Sequence, residues 1–385
     1  LAAPLDLILQ LFFWLAIAAT VYTYLGYPIV ITILARLRRR PVRAAPITPS
    51  VSLIIPAFDE EKVIGEKLDN SMSLDYPADR LEIVVVSDGS TDATNQIVSR
   101  YAADGLRLLY DPPRRGKIAA LNRSVPLTQG EILVFTDANA MLNPPALRRL
   151  VRHFADDRVA CVGGEKRVGP AANLSAQGES AYWRYESYLK RCDSAVGSLM
   201  GVAGELFAMR RAFYTPIQED TLIEDFVLSL HLVKQGWRVV YEPEAVAWEQ
   251  PTLSLGDEWQ RRTRIAAGGF QAIVRLRGML NPALGLAAFQ FLSHRVLRWI
   301  APGFMIAALL INPFLTDRVL YRWTLLGQTL LYLAALLGYF LLRVGVRSRP
   351  LQLVFYFCFT NLAALVGLYR YISGTQAVTW KKVRA

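Results

Sequence analysis

Sulfur and imidazole ligands are scarce: three cysteines and three histidines in 385 residues. Cys161, Cys192 and Cys358 are scattered with no CxxC pair, which argues against a disulfide framework or a zinc site. His153, His231 and His294 have no ligand spacing either. No P-loop, GxGxxG or HExxH occurs, so the ATPase phosphate cradle and the dinucleotide fingerprint are both missing. A diphosphate bound by this chain therefore needs a metal. Charge is missing from four long stretches, 7–35, 299–316, 323–342 and 350–369. A membrane helix needs roughly 20 apolar residues, and each stretch is long enough for one span. A channel or transporter carries ionisable groups inside its spans; these stretches carry none, which excludes that class.

Hydrophobic residues make up 53% of the chain, and the formal net charge is +11. The excess is unevenly placed: residues 1–43 carry +4, residues 299–385 carry +8, and residues 44–298 carry −1. Positive charge thus flanks the apolar segments, as in membrane proteins. A nucleic-acid binder carries it on the folded domain, so no nucleic-acid partner is expected.

The run 7–35 is too long for a signal-peptide core, and no basic region precedes it. Arg36, Arg38, Arg39, Arg40 and Arg43 follow it. The positive-inside rule then places the N-terminus outside and the next domain in the cytoplasm. Arg343, Arg347 and Arg349 fit a cytosolic loop. Three late spans put Lys381, Lys382 and Arg384 outside, against the rule. Either the last run is re-entrant or interfacial, or the rule fails here. Residues 284–298 place Leu284, Ala288, Phe291, Leu292 and Val296 on one side, with His294, Arg295 and Arg298 as polar neighbours. That pattern reads as an amphipathic helix in the interface, with a buried core helix as the alternative. Three regions result: a transmembrane helix and basic flank (1–43), a cytosolic domain (44–280), and an interfacial helix with C-terminal transmembrane helices (281–385). A multi-pass protein of the cell inner (plasma) membrane follows, and its partner is the lipid bilayer.

The middle region alternates short apolar runs at 51–56, 81–86 and 131–135 with helical stretches near 60–72, 91–103, 116–125 and 145–154. This predicts a mostly parallel α/β sheet with helices on both faces. Ligands of such sheets bind beyond the carboxyl ends of the strands. There the sequence reads Ala57-Phe-Asp-Glu-Glu61, Ser87-Asp-Gly-Ser-Thr-Asp92 and Thr136-Asp-Ala-Asn139. Three carboxylate-bearing loops on one edge suit a polyhydroxyl ligand, or a metal with a diphosphate. Asp137 and Asn139 offer two oxygen ligands, the type that Mg²⁺ or Mn²⁺ takes.

Five ordered segments carry a resemblance: Ile54-Ile-Pro-Ala-Phe-Asp-Glu60, Val86-Ser-Asp-Gly-Ser-Thr-Asp92, Arg115-Gly-Lys-Ile-Ala-Ala-Leu-Asn122, Thr136-Asp-Ala-Asn139 and Ile223-Glu-Asp225. Together they resemble the motifs of membrane-bound family-2 glycosyltransferases, the branch that holds the cellulose, chitin, hyaluronan and poly-N-acetylglucosamine synthases. The resemblance covers roughly residues 50–300. It implies a GT-A-like, Rossmann-like cytosolic domain that moves a hexose from a UDP-sugar with inversion, helped by Mg²⁺ or Mn²⁺. The product implied is a growing polysaccharide coupled to export. The alternative is one sugar added to a lipid-linked acceptor. Four spans are few for a channel, so a homo-oligomer or accessory subunit could be needed.

By the same resemblance, Pro56, Ala57, Asp59, Glu60, Asp88, Lys117 and Asp137 hold the donor. Asp137 and Asn139 stand at the family's DxD and hold the metal; Asn in the second position lowers the negative charge there. Glu224 and Asp225 match the Glu-Asp of Thr-Glu-Asp, with Ile223 in place of Thr. Asp225 becomes the general base, and a helix N-terminus should keep it ionised. Gly204 and Glu205, in Gly201-Val-Ala-Gly-Glu205, belong to the acceptor side. Glu249 and Pro251 fall near a Glu-x-x-Pro element. The family's Gln-x-x-Arg-Trp is eroded to Trp259-Gln-Arg-Arg-Thr-Arg-Ile265. Gln260 is assigned to the acceptor, and Arg261 and Arg264 to the departing diphosphate. The erosion puts processivity in doubt. Trp183, Tyr185 and Tyr188 read as core aromatics rather than sugar platforms.

Overall fold

The structure, a computed structural model, describes residues 2–169, 175–250, 254–346 and 348–379, with backbone only at 2–3 and 175–182. Pro251, Arg347, Lys381, Lys382 and Arg384 lie outside the described residues.

Eight strands form one sheet: β1 (Val51–Ala57), β2 (Leu81–Asp88), β3 (Arg107–Asp111), β4 (Ile132–Phe135), β5 (Met141–Leu142), β6 (Val159–Val168), β7 (Phe207–Arg210) and β8 (Arg238–Glu249). Their order is β3-β2-β1-β4-β7-β6-β8-β5. Thirteen α-helices accompany them among the described residues. Those of the catalytic region are α3 (Ile64–Met72), α4 (Thr94–Arg100), α5 (Lys117–Ser124), α6 (Ala146–Val151), α7 (Ser175–Val196), α8 (Glu224–Lys234) and α9 (Leu255–Arg275). Before them come α1 (Ala2–Val21) and α2 (Tyr27–Leu37). After them come α10 (Leu286–Gln290), α11 (Leu297–Ile311), α12 (Val319–Arg343) and α13 (Arg349–Ile372).

The alternation of β1 side chains explains the layering, since successive residues point to opposite faces. Val51, Leu53 and Ile55 enter a core with Ile64 and Leu68 of α3 and Leu147 and Leu150 of α6. Ile54 enters the other core, with Leu121 of α5 and Phe226 and Leu230 of α8. Each fully buried side chain of this size contributes roughly 1.5–3 kcal/mol. The sheet is mixed but mostly parallel, as expected: six of its eight strands share one direction, β6 and β8 running parallel to each other. Strands β3-β2-β1-β4 are parallel, but β7 runs antiparallel to both β4 and β6, and β5 antiparallel to β8. Ala57 pairs with Ser87, and Ile54 with Phe135, so the loops after β1, β2 and β4 leave the same edge.

Four helical runs are long and apolar enough to cross a membrane: Pro4–Leu37, Leu286–Leu315, Val319–Arg343 and Arg349–Ile372. The first joins α1 to α2 through a π-helical turn. In the second, α10 continues through a π-helical turn into α11, so residues 286–298 form the first part of that run. His294 in that turn is buried, not solvated. Its Nδ1 lies 2.5 Å from Asp193 Oδ2 on α7, and Gln290 donates to the same carboxylate over 3.0 Å. Arg295 and Arg298 reach Glu186 of α7 at 2.8 and 2.6 Å. Helix α7 also packs Leu189, Cys192 and Val196 on Tyr27 and Ile31 of α2. It therefore fastens the catalytic region to two of the apolar runs.

Candidate active site

A cleft of about 350 Å³ opens at the sheet edge where β1, β2 and β4 end. Pro56, Ala57 and Glu60 line it from β1 and its loop. Asp88, the last residue of β2, lines it and is itself 96% buried. Its Oδ2 accepts the Gly116 N–H over 2.6 Å and its Oδ1 the Arg115 N–H over 3.1 Å. Those bonds hold the turn into α5. Gly116 has φ +101°, a left-handed backbone that suits glycine, and it aims the next residue, Lys117, inward.

Lys117 is the electrostatic hub. Its Nζ lies 2.6 Å from Asp137 Oδ1 and 2.6 Å from Glu224 Oε1. Burial works against its charge, but the two carboxylates outweigh burial and hold the ammonium above the usual lysine range. Asp137 stands in the loop after β4. Burial pushes its carboxyl up, against the pull of Lys117. Behind it, fully buried Lys67 of α3 donates to Thr136 Oγ1 over 3.0 Å and to the Ala140 carbonyl. This bracket fixes the loop that carries Asp137 and Asn139. Burial pulls the Lys67 ammonium down to about 7.

Glu224 and Asp225 open α8. Burial raises the Glu224 carboxyl, but Lys117 outweighs burial and holds it low. Asp225 departs from the expectation that a helix N-terminus keeps it ionised: burial first, then the charge of Glu224, push it up to about 7. Lys117 opposes the shift and Glu205 adds to it. Desolvation outweighs the helix dipole here, and the outcome is a carboxylate poised near neutrality. An added Cβ on Gly204 would lie 3.4 Å from Asp225 Oδ2 and 3.6 Å from Lys117 Nζ, so both groups face this glycine.

The far wall centres on a lysine that the motifs do not mark. Lys166, near the end of β6, is buried and bridges Glu205 and Glu249, the latter at 2.5 Å. Burial opposes the Glu205 charge, but Lys166 outweighs it and holds that carboxyl at about 2. The Lys166 ammonium also lies 5.0 Å from the ring centre of Trp183, which lines the cleft. Tyr185 and Tyr188 instead face α2, donating to the Tyr24 carbonyl and bonding Thr32. Sequence periodicity gave no signal for Lys166, because its partners come from distant segments.

Helix α9 supplies the roof. Arg261, Arg262, Arg264 and Ile265 line the cleft. Gln260 does not: it is exposed, about 100° around the helix from Arg261. Asp59 also lies outside the cleft lining; its Oδ1 accepts the Thr91 N–H over 2.7 Å and so braces the loop after β2. Arg261 and Arg262 are both tied to Glu258, at 2.9 and 2.7 Å. Arg264 donates to the Val378 carbonyl over 3.0 Å, and Val378 and Thr379 line the cleft. The chain beyond α13 therefore returns to the site. Trp299 of α11 packs on the backbone of α9 at Gly269, whose added Cβ would fall 2.3 Å from the indole.

Among the described residues, no group of three or more His, Cys, Asp or Glu is arranged to hold a metal ion. Asp137 and Asn139 both line the cleft, and as oxygen donors they suit a hard cation that takes its other ligands from a diphosphate and water.

A mixed sheet with acidic loops at one edge, a buried cation among carboxylates and an arginine roof is the architecture of a GT-A glycosyltransferase. A solved mannosyltransferase from Pyrobaculum calidifontis, in complex with GDP-Man and Mn²⁺, shares this fold. Its TM-score is 0.73 at 24% identity, covering 95% of this chain and 100% of that one. A family model described as "Glycosyltransferase like family 2" matches residues 49–268. The chain belongs to that family. Among curated relatives, the β-monoglucosyldiacylglycerol synthase of Nostoc is 30% identical over 259 residues, 65% of this chain and 55% of its own. The poly-β-1,6-N-acetyl-D-glucosamine synthase of Staphylococcus aureus is 23% identical over 231 residues, 58% of this chain and 56% of its own. The chain spans little more than half the length of these curated relatives.

Proposed function

We propose that this chain transfers a single sugar from a UDP-sugar, with inversion, to the hydroxyl of a lipid-borne acceptor at the membrane surface. One observation carries the choice of acceptor. The cleft lining includes the apolar side chains Leu222, Ile223, Ile265 and Trp299, and Trp299 belongs to an apolar run long enough to cross a membrane. With Arg264 aligned on the Arg of the family's Gln-x-x-Arg-Trp, in place of the alignment on Gln260, Ile265 falls at the Trp. A flat aromatic suits a sugar ring, whereas a branched aliphatic beside a membrane helix suits an acyl-bearing acceptor. The relatives include a synthase named for a glucosylated diacylglycerol.

In this mechanism Asp225 takes the proton of the acceptor hydroxyl. The freed oxygen bonds to the anomeric carbon from the face opposite the diphosphate. The bond from that carbon to the diphosphate oxygen breaks, and UDP leaves with the electron pair. An α-linked donor thus gives a β-linked product. Lys117 is placed to exchange a carboxylate partner for a phosphate oxygen, and Arg264 adds a second cation. Asp137 and Asn139 would hold a Mg²⁺ or Mn²⁺ ion that neutralises the diphosphate when bound.

The catalytic region lies on the cytoplasmic side, where Arg36, Arg38, Arg39 and Arg40 follow the first span. Helix α13 runs beside α9: Gly367 meets Ala266 and Thr263, and Tyr356 bonds Arg262. Thr379 reaches the cleft. Both contacts favour α13 as an interfacial helix and a chain end on the cytoplasmic side. A membrane-impermeant thiol reagent should then label Thr375→Cys from the same side as Ser254→Cys; labelling from opposite sides would sink this topology.

The whole reading is tested by reconstituting the protein in nanodiscs with a panel of UDP- and GDP-sugars, with Mg²⁺, Mn²⁺ or chelator. Release of nucleoside diphosphate should require a lipid acceptor and metal. Full turnover in chelator would remove the role of Asp137 and Asn139.

A further inference from the structure

A second cleft lies at the opposite edge of the sheet from the catalytic loops. Arg39, Arg40 and Pro41 line it, together with Arg158, Gly236, Trp237 and Arg238, and it shares no residue with the catalytic cleft. Arg39 and Arg40 follow α2 by two and three residues, just past the end of the run Pro4–Leu37. Arg158 and Arg238 come from the amino ends of β6 and β8, where the Arg238 N–H donates to the Arg158 carbonyl over 2.9 Å. Four arginines from three distant segments therefore line one cleft beside the end of that run.

Little within the protein answers that charge. Asp156 pairs with Arg158 at 2.7 Å. Among the described residues no acid pairs with Arg39, Arg40 or Arg238. Arg238 donates from Nη2 to the carbonyls of Ser194 and Arg40, at 3.1 and 3.3 Å, while its buried Nε has no partner. Burial, then the charges of Arg158 and Arg40, pull its guanidinium below the usual range, with the Asp156 carboxylate opposing them. Like charges held together with an unmet donor make a site that gains stability from an anion. Trp237 stands beside them, packed 4.3 Å from the ring of Phe213, and tryptophan is favoured at headgroup depth.

We propose that Arg39, Arg40, Arg158 and Arg238, with Trp237, bind the phosphate of an anionic phospholipid headgroup in the adjoining leaflet. Position decides the source: Arg39 and Arg40 follow within three residues the end of an apolar run long enough to cross a membrane, and headgroup phosphates lie where such runs leave the hydrocarbon. A bound headgroup would pin the amino ends of β6 and β8 to the end of α2, and so set the tilt of the catalytic region on the bilayer.

The test is native mass spectrometry of the detergent-purified full chain, titrated with phosphatidylglycerol or phosphatidylcholine. Wild type should retain phosphatidylglycerol in preference to phosphatidylcholine. Arg39→Gln alters an exposed side chain and should weaken phosphatidylglycerol about fivefold, the worth of one arginine at an anionic surface. Arg39→Gln/Arg40→Gln should weaken it further, with phosphatidylcholine unchanged. Arg343→Gln removes the same charge at the end of α12 and should have no effect. Equal weakening by Arg343→Gln would mean diffuse membrane electrostatics and overturn the site. Full displacement of the lipid by inorganic phosphate would overturn the lipid as its ligand.

Discussion

Lys117 Nζ sits 2.6 Å from Glu224 Oε1 and 2.6 Å from Asp137 Oδ1, so one ammonium joins the loop after β4 to the first turn of α8. In the proposed mechanism the donor side and the base side of the site thereby share one cation. Lys117→Met leaves two buried carboxylates without it. A charge-assisted hydrogen bond contributes roughly 1.5–3 kcal/mol, so donor affinity should fall about 10–100-fold. Lys117→Arg should not restore it, because a planar fork does not fit the place of a point charge. Calorimetric titration with the donor checks both variants.

As the proposed base, Asp225 should set the pH dependence. Its carboxyl is pushed up to about 7 by burial and by Glu224, with Glu205 adding and Lys117 opposing. Below that pH it carries a proton and cannot accept another. Above it the base is ionised and competent. The catalytic rate should therefore rise with pH through about 7 and then level. Asp225→Asn should lower kcat by about 10²–10⁴-fold, with donor affinity retained. A pH–rate profile of both proteins decides this, and a rate that falls as pH rises from 6 to 8 would count against Asp225 as base.

Gly367 of α13 ties the C-terminal apolar helices to α9. An added Cβ there would lie 2.5 Å from Ala266 Cβ, 2.8 Å from the Ala267 nitrogen and 2.9 Å from the Thr263 carbonyl. Two of those neighbours are backbone of α9 and cannot swing away. Gly367→Ala should cost about 1–3 kcal/mol and displace Arg264 and Ile265. A lower melting temperature in detergent, with reduced kcat and a nearly unchanged donor KM, is the expected result.

The legible part of this site lies where an unbroken apolar strand ends in a carboxylate. That pattern marks β1, β2 and β4, because buried parallel strands are apolar on both faces. Strand β6 escaped it: Gly163 and Gly164 dilute the pattern where Leu199, Val202 and Leu206 pack close, and Lys166 reads as a surface charge. Its burial depends on Glu205 and Glu249, which only the fold brings near. The polar groups of 284–298 likewise have partners that only the fold brings near, since Asp193 and Glu186 answer His294, Arg295 and Arg298 from α7. Gln260 was placed by motif, but the phase of α9 turns it away from the cleft. Asp225 was read through the helix dipole, a term smaller than the burial that its position on α8 imposes.

The central claim is a single inverting transfer to a membrane-borne hydroxyl, and the structure of the product tests it most directly. The protein in nanodiscs, given an α-linked UDP-sugar and lipid acceptors, should yield a lipid bearing one β-linked sugar, read by mass spectrometry and by the anomeric coupling in NMR. A ladder of lengthening glycans, or an α-linked product, would contradict the account.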